Sequence, residues 1–110
     1  MRESDILVSE FTERIKNTET YKEYQDRCRE LQPYPELRRQ INRYREDNYN
    51  LQNSEGDIFA DIDEYERKYA DFRANPLVEN YLQAELKMVR MLQRIYGKIA
   101  EMTNLELDEE

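Results

Sequence analysis

Four carboxylates near the middle of the chain, Asp57, Asp61, Asp63 and Glu64, have the residue type that metal chemistry needs. Carboxylate oxygens bind divalent cations, and a bound cation can activate water for hydrolysis. However, their spacing does not match a calcium-binding loop, and one helix cannot point all four at the same ion. Acids near the start of a helix also offset the positive end of its dipole. We therefore interpret these residues as structural, and a metal-dependent hydrolase is the weakest of three hypotheses.

A second candidate site consists of four arginines within one predicted helix: Arg38, Arg39, Arg43 and Arg45. Guanidinium groups bind phosphate, and Tyr44 and Tyr49 could stack on bases, so RNA binding is a second hypothesis. Helical spacing places Arg38 and Arg45 on a different side from Arg39 and Arg43, so the four are not one patch. Acidic residues are interleaved with them, and the chain has a formal net charge of −8. A solvated helix face with intrahelical ion pairs is therefore the favoured interpretation.

Other common kinds of catalytic site are excluded by composition. The chain has no histidine and one cysteine, Cys28, which excludes zinc sites, serine–histidine triads and cysteine–histidine dyads within one chain. We predict no catalytic residue, no cofactor and no metal, and therefore no enzyme. Cys28 cannot form an internal disulfide, and its place on an apolar helix face predicts a buried, inert thiol. With neither a signal peptide nor a transmembrane run expected, the predicted location is the cytoplasm.

The composition predicts an all-α fold. Charged residues make up 38% of the 110 residues, and there are only 2 glycines and 3 prolines. Few turn-forming residues and many glutamates, leucines and arginines are typical of long helices. No stretch alternates between apolar and polar residues for long enough to predict a sheet. We expect a single helical domain over residues 1–104, followed by an acidic tail over residues 105–110.

Capping and breaking residues divide the domain into about five helices. The first has Ser4 as a candidate N-cap, and the second has Thr20 and Glu23 as a capping box. The third begins at Pro35, after the Pro33–Pro35 break. The fourth begins at Asp57 and stops before Asn75. Whether it is separate from the fifth helix or continues into it as a kinked rod is left open, because proline at position 76 permits both.

The fifth helix organises the chain. Asn75 is a good N-cap, Pro76 fits the first helical turn, and the pattern continues to about Asn104, which gives a helix roughly 40 Å long. A chain of this size has too few helices to cover the apolar side of such a helix along its whole length. We therefore predict a protein–protein interface, in a homodimer or with related helical proteins, formed by these residues: Leu82, Leu86, Val89, Leu92, Tyr96 and Ile99.

The nine tyrosines are unusual beside three phenylalanines and no tryptophan. Five of them fall on or beside apolar helix faces: Tyr44, Tyr65, Tyr69, Tyr81 and Tyr96. Tyrosine at such positions most often lines a core while its hydroxyl reaches water or a polar partner. Some of these rings could instead belong to a protein interface, where tyrosine is enriched.

Two stretches carry a specific resemblance, PELRRQINRYREDNYNLQN (35–53) and YERKYADFRANPLVENYLQAELKMVRMLQRIYGKI (65–99). The second contains Asn75-Pro76, Val78, Tyr81 and Ala84-Glu85 leading into the long helix. Together with the preceding ETYKEYQDRCRELQPYPELRR, they resemble the YlbF/YmcA family of small helical bacterial proteins. The resemblance covers most of the chain, although its motifs are helical patterning and not a catalytic signature.

The resemblance implies an α-helical protein that associates with itself or with relatives through long helices. It also implies a cytosolic regulatory role in Gram-positive bacteria, in a complex that influences competence, sporulation and biofilm formation and assists an endoribonuclease in mRNA processing. Some relatives carry an iron–sulfur cluster on cysteines near the C-terminus. This chain ends in LELDEE and has no cysteine there, so the cluster is not carried over.

Overall fold

The computed structural model of the chain describes residues 2–53 and 55–104, and these ranges form helices without any strand. The helices are α1 (Glu3–Lys16), α2 (Glu19–Leu31), α3 (Pro35–Gln52), α4 (Ile58–Lys68), α5 (Ala70–Ala74) and α6 (Pro76–Met102). The predicted all-α class and the long C-terminal helix are confirmed. The predicted acidic tail, 105–110, lies outside the described residues.

Three helix starts agree with the caps expected from the sequence. Pro35 occupies the first turn of α3, where its missing N–H leaves no bond unmade. The Asp57 carboxylate accepts hydrogen bonds from the N–H groups of Phe59 (3.1 Å) and Ala60 (3.3 Å) at the start of α4. Asn75 Oδ1 accepts from the Leu77 N–H at 3.0 Å at the start of α6. Asp57 is therefore a capping residue, which accounts for its position without any ligand.

Two other predicted caps are wrong. Ser4 lies inside α1, whose N-cap is Arg2, and the Arg2 side chain makes no capping hydrogen bond. At α2 the capping side chain is that of Thr18 and not Thr20, because Thr18 Oγ1 accepts from the Tyr21 N–H at 3.2 Å. The bond runs from the residue before the helix to the third helical residue, which is the usual N-cap geometry. The capping residue of α2 therefore lies two residues before the predicted one.

The predicted fourth helix is divided at Tyr69, so residues 2–53 and 55–104 contain six helices instead of five. The backbone at Tyr69 leaves the helical region (φ −108°, ψ 10°), and the single turn of α5 follows it. Asn75 is extended (φ −70°, ψ 119°), as a residue before proline usually is. The extended backbone at Asn75 separates α6 from the short helix before it, which answers the question that the sequence left open.

Contacts between residues divide the chain into two compact units. The central unit is Asp26–Leu82, and the described part of the terminal unit is 2–25 together with 83–104. Both α2 and α6 contribute residues to each unit. The expectation of one domain over residues 1–104 stays a prediction.

The core of the central unit is small and partly aromatic. Its buried residues, in the described part of the chain, are Leu31, Ile41, Tyr69, Val78 and Tyr81. Each of α2, α3 and α6 contributes at least one of them, because each presents apolar residues at helical spacing on one side. Tyrosine therefore lines this core, as the sequence predicts.

An aromatic cluster joins α3 to α4 and α5 beside that core. The Tyr44 ring stacks on Tyr65 with 5.5 Å between centroids and meets Tyr69 edge-on at 5.1 Å. Phe72 extends the cluster, with its centroid 5.4 Å from that of Tyr44. Arg73 donates a hydrogen bond of 2.6 Å to the Tyr44 hydroxyl. Such ring pairs contribute about 0.5 to 1.5 kcal/mol each beyond their buried area, so the cluster holds the short helices onto α3.

The hydroxyl of Tyr69 anchors the cluster to a carboxylate. It donates a hydrogen bond to Asp47, and the Lys68 ammonium lies 2.9 Å from the same carboxylate oxygen. Two interactions lower the pKa of Asp47 below its ordinary value. The larger is the hydrogen bond from Tyr69, and the second is the hydrogen bond from Lys68. Burial, followed by the hydrogen bond to Asp47, raises the pKa of Tyr69 to about 12. Folding therefore favours an ionised Asp47 beside a neutral Tyr69.

Removing the hydrogen bond from Tyr69 to Asp47 should destabilise the fold by an amount that depends on pH. Because the pKa of Asp47 is lower in the folded chain, its contribution is complete above its unfolded pKa of about 3.9 and is lost as the pH falls through the folded value. We expect Tyr69→Phe to lower the free energy of unfolding by about 1 kcal/mol at pH 6, since the acceptor is charged but partly exposed. The difference from wild type should shrink below pH 4, as measured by urea unfolding.

Tyr49→Phe is the matched control, because Tyr49 is an exposed tyrosine at the end of the same helix as Asp47. It should change the free energy of unfolding little, and by the same amount at every pH. An equal destabilisation of Tyr69→Phe at pH 3 and pH 6 would contradict the assignment of Asp47 as the acceptor.

Candidate interaction surfaces

Five of the six predicted interface residues form an uncovered apolar strip on α6. These are Leu86, Val89, Leu92, Tyr96 and Ile99, which we call the α6 surface. Their exposed fractions run from 41% for Leu92 to 62% for Tyr96. All five belong to the terminal unit. The sixth, Leu82, is half-buried and is the last residue of the central unit. That these residues form an interface stays a prediction.

A second apolar side of α6 is shielded within the chain. Ala84 is buried, and Met88, Met91 and Ile95 are half-buried. At about 100° per residue these four residues share one side of the helix, whereas Val89 and Tyr96 lie on a different side. Beyond Gln83, α6 therefore has apolar residues on more than one side, and the described part of the chain shields the side of Ala84 while the side of Val89 stays exposed.

The sequence pattern missed this division into two sides. Spacings of three and four residues join Ile95 and Ile99 into a single stripe, although Ile95 is half-buried and Ile99 is exposed. The width of the apolar arc in the sequence indicates this division, because a helix that packs on one neighbour needs a narrower apolar arc. A count of apolar residues per turn would have indicated a helix with two neighbours.

Basic residues accompany the α6 surface. From Gln83 to Met102 the helix carries Lys87, Arg90, Arg94 and Lys98 against Glu85 and Glu101. Lys87 lies 3.4 Å from Glu23 of α2, within the terminal unit, and Lys98 lies 3.8 Å from Glu101. Within the described part of the chain, Arg90 and Arg94 form no ion pair. By helical spacing, Arg90 and Arg94 follow the Leu86 edge of the α6 surface, whereas Lys87 and Lys98 lie on the opposite side of the helix.

Two of the four arginines of α3 have a structural role. The guanidinium carbons of Arg38 and Arg45 each lie 5.8 Å from the centroid of the buried Tyr81 ring. Arg45 also donates a hydrogen bond of 3.2 Å to the Tyr81 hydroxyl. Arg38 and Arg45 are seven residues apart, which is about two helical turns, so they lie on one side of α3 and both reach the same ring. Arg39 and Arg43 lie on a different side. Only Arg39 and Arg43 are then left for the RNA-binding alternative.

The acids and the cysteine are not arranged as a site. Asp57 caps α4, and no group of three or more potential metal ligands is present in the part of the chain that the structure describes. Cys28 is a free thiol that is half-buried, and not fully buried as predicted. Among the described helices, none combines the length and apolar character of a membrane span.

Comparison with known proteins identifies the family. The model of the family described as "Control of competence regulator ComK, YlbF/YmcA" matches residues 7–103, which is most of the chain. The comparison with curated proteins found no match, and neither did the comparison with solved structures. The match includes all of α2 to α6, and with them the whole α6 surface. The chain therefore belongs to the YlbF/YmcA family, which is described as controlling the competence regulator ComK.

Proposed function

We propose that this chain is a non-catalytic helical adaptor that assembles through the α6 surface with a second copy of itself or with a related helical protein. By resemblance to its family, the assembly would be a cytoplasmic complex that modulates mRNA processing and developmental regulation, namely competence, sporulation and biofilm formation. The observation that carries the proposal is the apolar side of α6 that residues 2–53 and 55–104 leave uncovered. The non-catalytic part rests on a sequence without histidine and with one cysteine.

The size of the hydrophobic effect supports association through this surface. Full burial of a large apolar side chain contributes about 1.5 to 3 kcal/mol, so covering one that is half exposed contributes about 1 kcal/mol. Five such residues on each of two copies would give on the order of 10 kcal/mol. The loss of translational and rotational freedom costs about 4 to 15 kcal/mol. The α6 surface is thus large enough to matter, but a stable pair would need further contacts.

RNA binding by α3 is the less supported alternative. Tyr81 holds Arg38 and Arg45, which leaves Arg39 and Arg43 as its positive groups. Sequence-independent affinity for RNA depends on several cationic contacts, and the net charge of −8 opposes it. Two exposed arginines on an acidic protein are a weak basis for binding.

A charge on the α6 surface should dissociate the assembly. Val89→Asp would bury an unpaired carboxylate, at a cost of several kcal/mol, and should raise the dissociation constant at least ~100-fold. Leu92→Asp should act in the same direction. We expect light scattering across a dilution series to give a dimeric mass for the wild type and a monomeric mass for both variants at the same concentration.

Lys98→Asp is the matched control, because Lys98 is an exposed residue on the opposite side of α6 from Val89. It should keep the wild-type mass, and circular dichroism should show that all three variants keep their helix content. A Val89→Asp variant that assembles like the wild type would remove the α6 surface as the interface.

The RNA alternative has its own test. If the adaptor proposal is right, a mobility-shift assay at 50 mM salt should detect no complex with single-stranded RNA. A shift that weakens with salt and is lost in Arg39→Ala/Arg43→Ala, but kept in Arg14→Ala/Lys16→Ala, would favour RNA binding instead.

A further inference from the structure

Helix α1 is the second uncovered apolar surface of the terminal unit. Leu7 is 61% exposed and Val8 is 63% exposed, and Ile6 and Phe11 are exposed as well. In the described part of the chain, the terminal unit buries only Ala84 fully. This unit therefore presents two apolar helix faces, one on α1 and one on α6, that it does not cover itself.

The two faces carry opposite charge. Helix α1 has four acids, Glu3, Asp5, Glu10 and Glu13, against Arg14 and Lys16. Of these acids, Glu3, Asp5 and Glu10 make no ion pair within the described residues, and neither do Arg90 and Arg94 of α6. Two α6 helices packed on each other would bring bases close to bases. An α1 helix packed on α6 would bring unpaired acids close to unpaired bases, which favours that pairing.

Gly97 indicates where the pairing takes place. Glycine inside a helix costs about 1 kcal/mol relative to alanine, and here a Cβ atom would have no neighbour within 4 Å. Nothing in the described chain therefore requires glycine at this position. Gly97 follows Tyr96 in the sequence, but on the helix it lies at the Leu86 edge of the α6 surface, between Leu86 and Arg90 and one turn from Gln93 and Ala100. A helix without a side chain at this point lets another backbone approach closely.

We propose that α1 of a second copy of this chain docks along the Leu86 edge of the α6 surface and crosses α6 at Gly97, with its acids near Arg90 and Arg94. The inference rests on the proposed function, because it names the partner of the same surface. In a symmetric pair each copy gives its α1 to the other, so the contact is made twice. The four helices together cover both apolar faces, and this provides the additional area that the α6 surface lacks.

Cross-linking between labelled chains tests the pairing. In a Cys28→Ser background, one chain carries Val8→Cys on α1 and the other, labelled with ¹⁵N, carries Gln93→Cys on α6. The two are unfolded together, refolded and oxidised, and disulfide-linked pairs are weighed by mass spectrometry. A disulfide forms only where Cα atoms approach within about 7 Å. We expect the mixed pair of Val8→Cys with Gln93→Cys to predominate.

The other outcomes separate this inference from the proposed function. Predominance of the Gln93→Cys pair with itself would mean that α6 packs on α6, and would overturn the docking of α1. A dimeric mass without any cross-link would overturn it as well. A wild-type chain that is monomeric over the whole dilution series would overturn the docking of α1 from a second copy and would leave the adaptor proposal with a related helical protein as the partner.

Gly97→Ala and salt give two independent readouts of the same contact. If a second backbone crosses at Gly97, the added methyl group should raise the dissociation constant at least tenfold, although alanine is the better helix former. Lys98→Ala, next to it on the polar side, should leave the dissociation constant unchanged. Raising the salt concentration from 50 to 500 mM should weaken the pair, because opposite charges are screened. An unchanged constant for Gly97→Ala, or association that strengthens with salt, would contradict the proposal.

Discussion

The structure depends on one helix that has more apolar surface than the described part of its own chain covers. Helix α6 begins at the Asn75–Pro76 cap and runs without interruption to Met102, and it contributes Val78 and Tyr81 to the central core. Beyond Gln83 its apolar residues occupy more than one side. A chain of 110 residues has few helices to place around it. The exposed side is therefore a consequence of length and periodicity, and not of any local irregularity.

The central unit is stabilised in a different way, by tyrosines that combine ring packing with a hydrogen bond. Tyr69 is buried and donates to Asp47, while Tyr81 is buried with the guanidinium groups of Arg38 and Arg45 over its ring. A small core gains from such residues, because one side chain provides both apolar area and a partner for a charge. The same arrangement uses two of the four arginines that the sequence offers as candidates for RNA binding, although a solvated helix face is the interpretation that the sequence favours.

Much of this fold could be predicted from the sequence, because its strongest signals are local. Proline at positions 35 and 76 fixes two helix starts, and Asp57 caps a third. The break at Tyr69 could not be predicted, since no glycine or proline marks it and the aromatic cluster forms only in the folded chain. Periodicity located the α6 surface but could not show which apolar side is covered, because that depends on packing between distant segments.

The shortage of buried residues in the terminal unit has a consequence for the life of the protein in a cell. A region that buries only Ala84 fully among its described residues opens easily, and proteases act on the opened population. A copy whose α1 and α6 faces are uncovered would then be degraded sooner than one whose faces are occupied. Under the proposed assembly, the amount of this regulator would depend on the supply of partners as well as on synthesis, and unassembled copies would not accumulate.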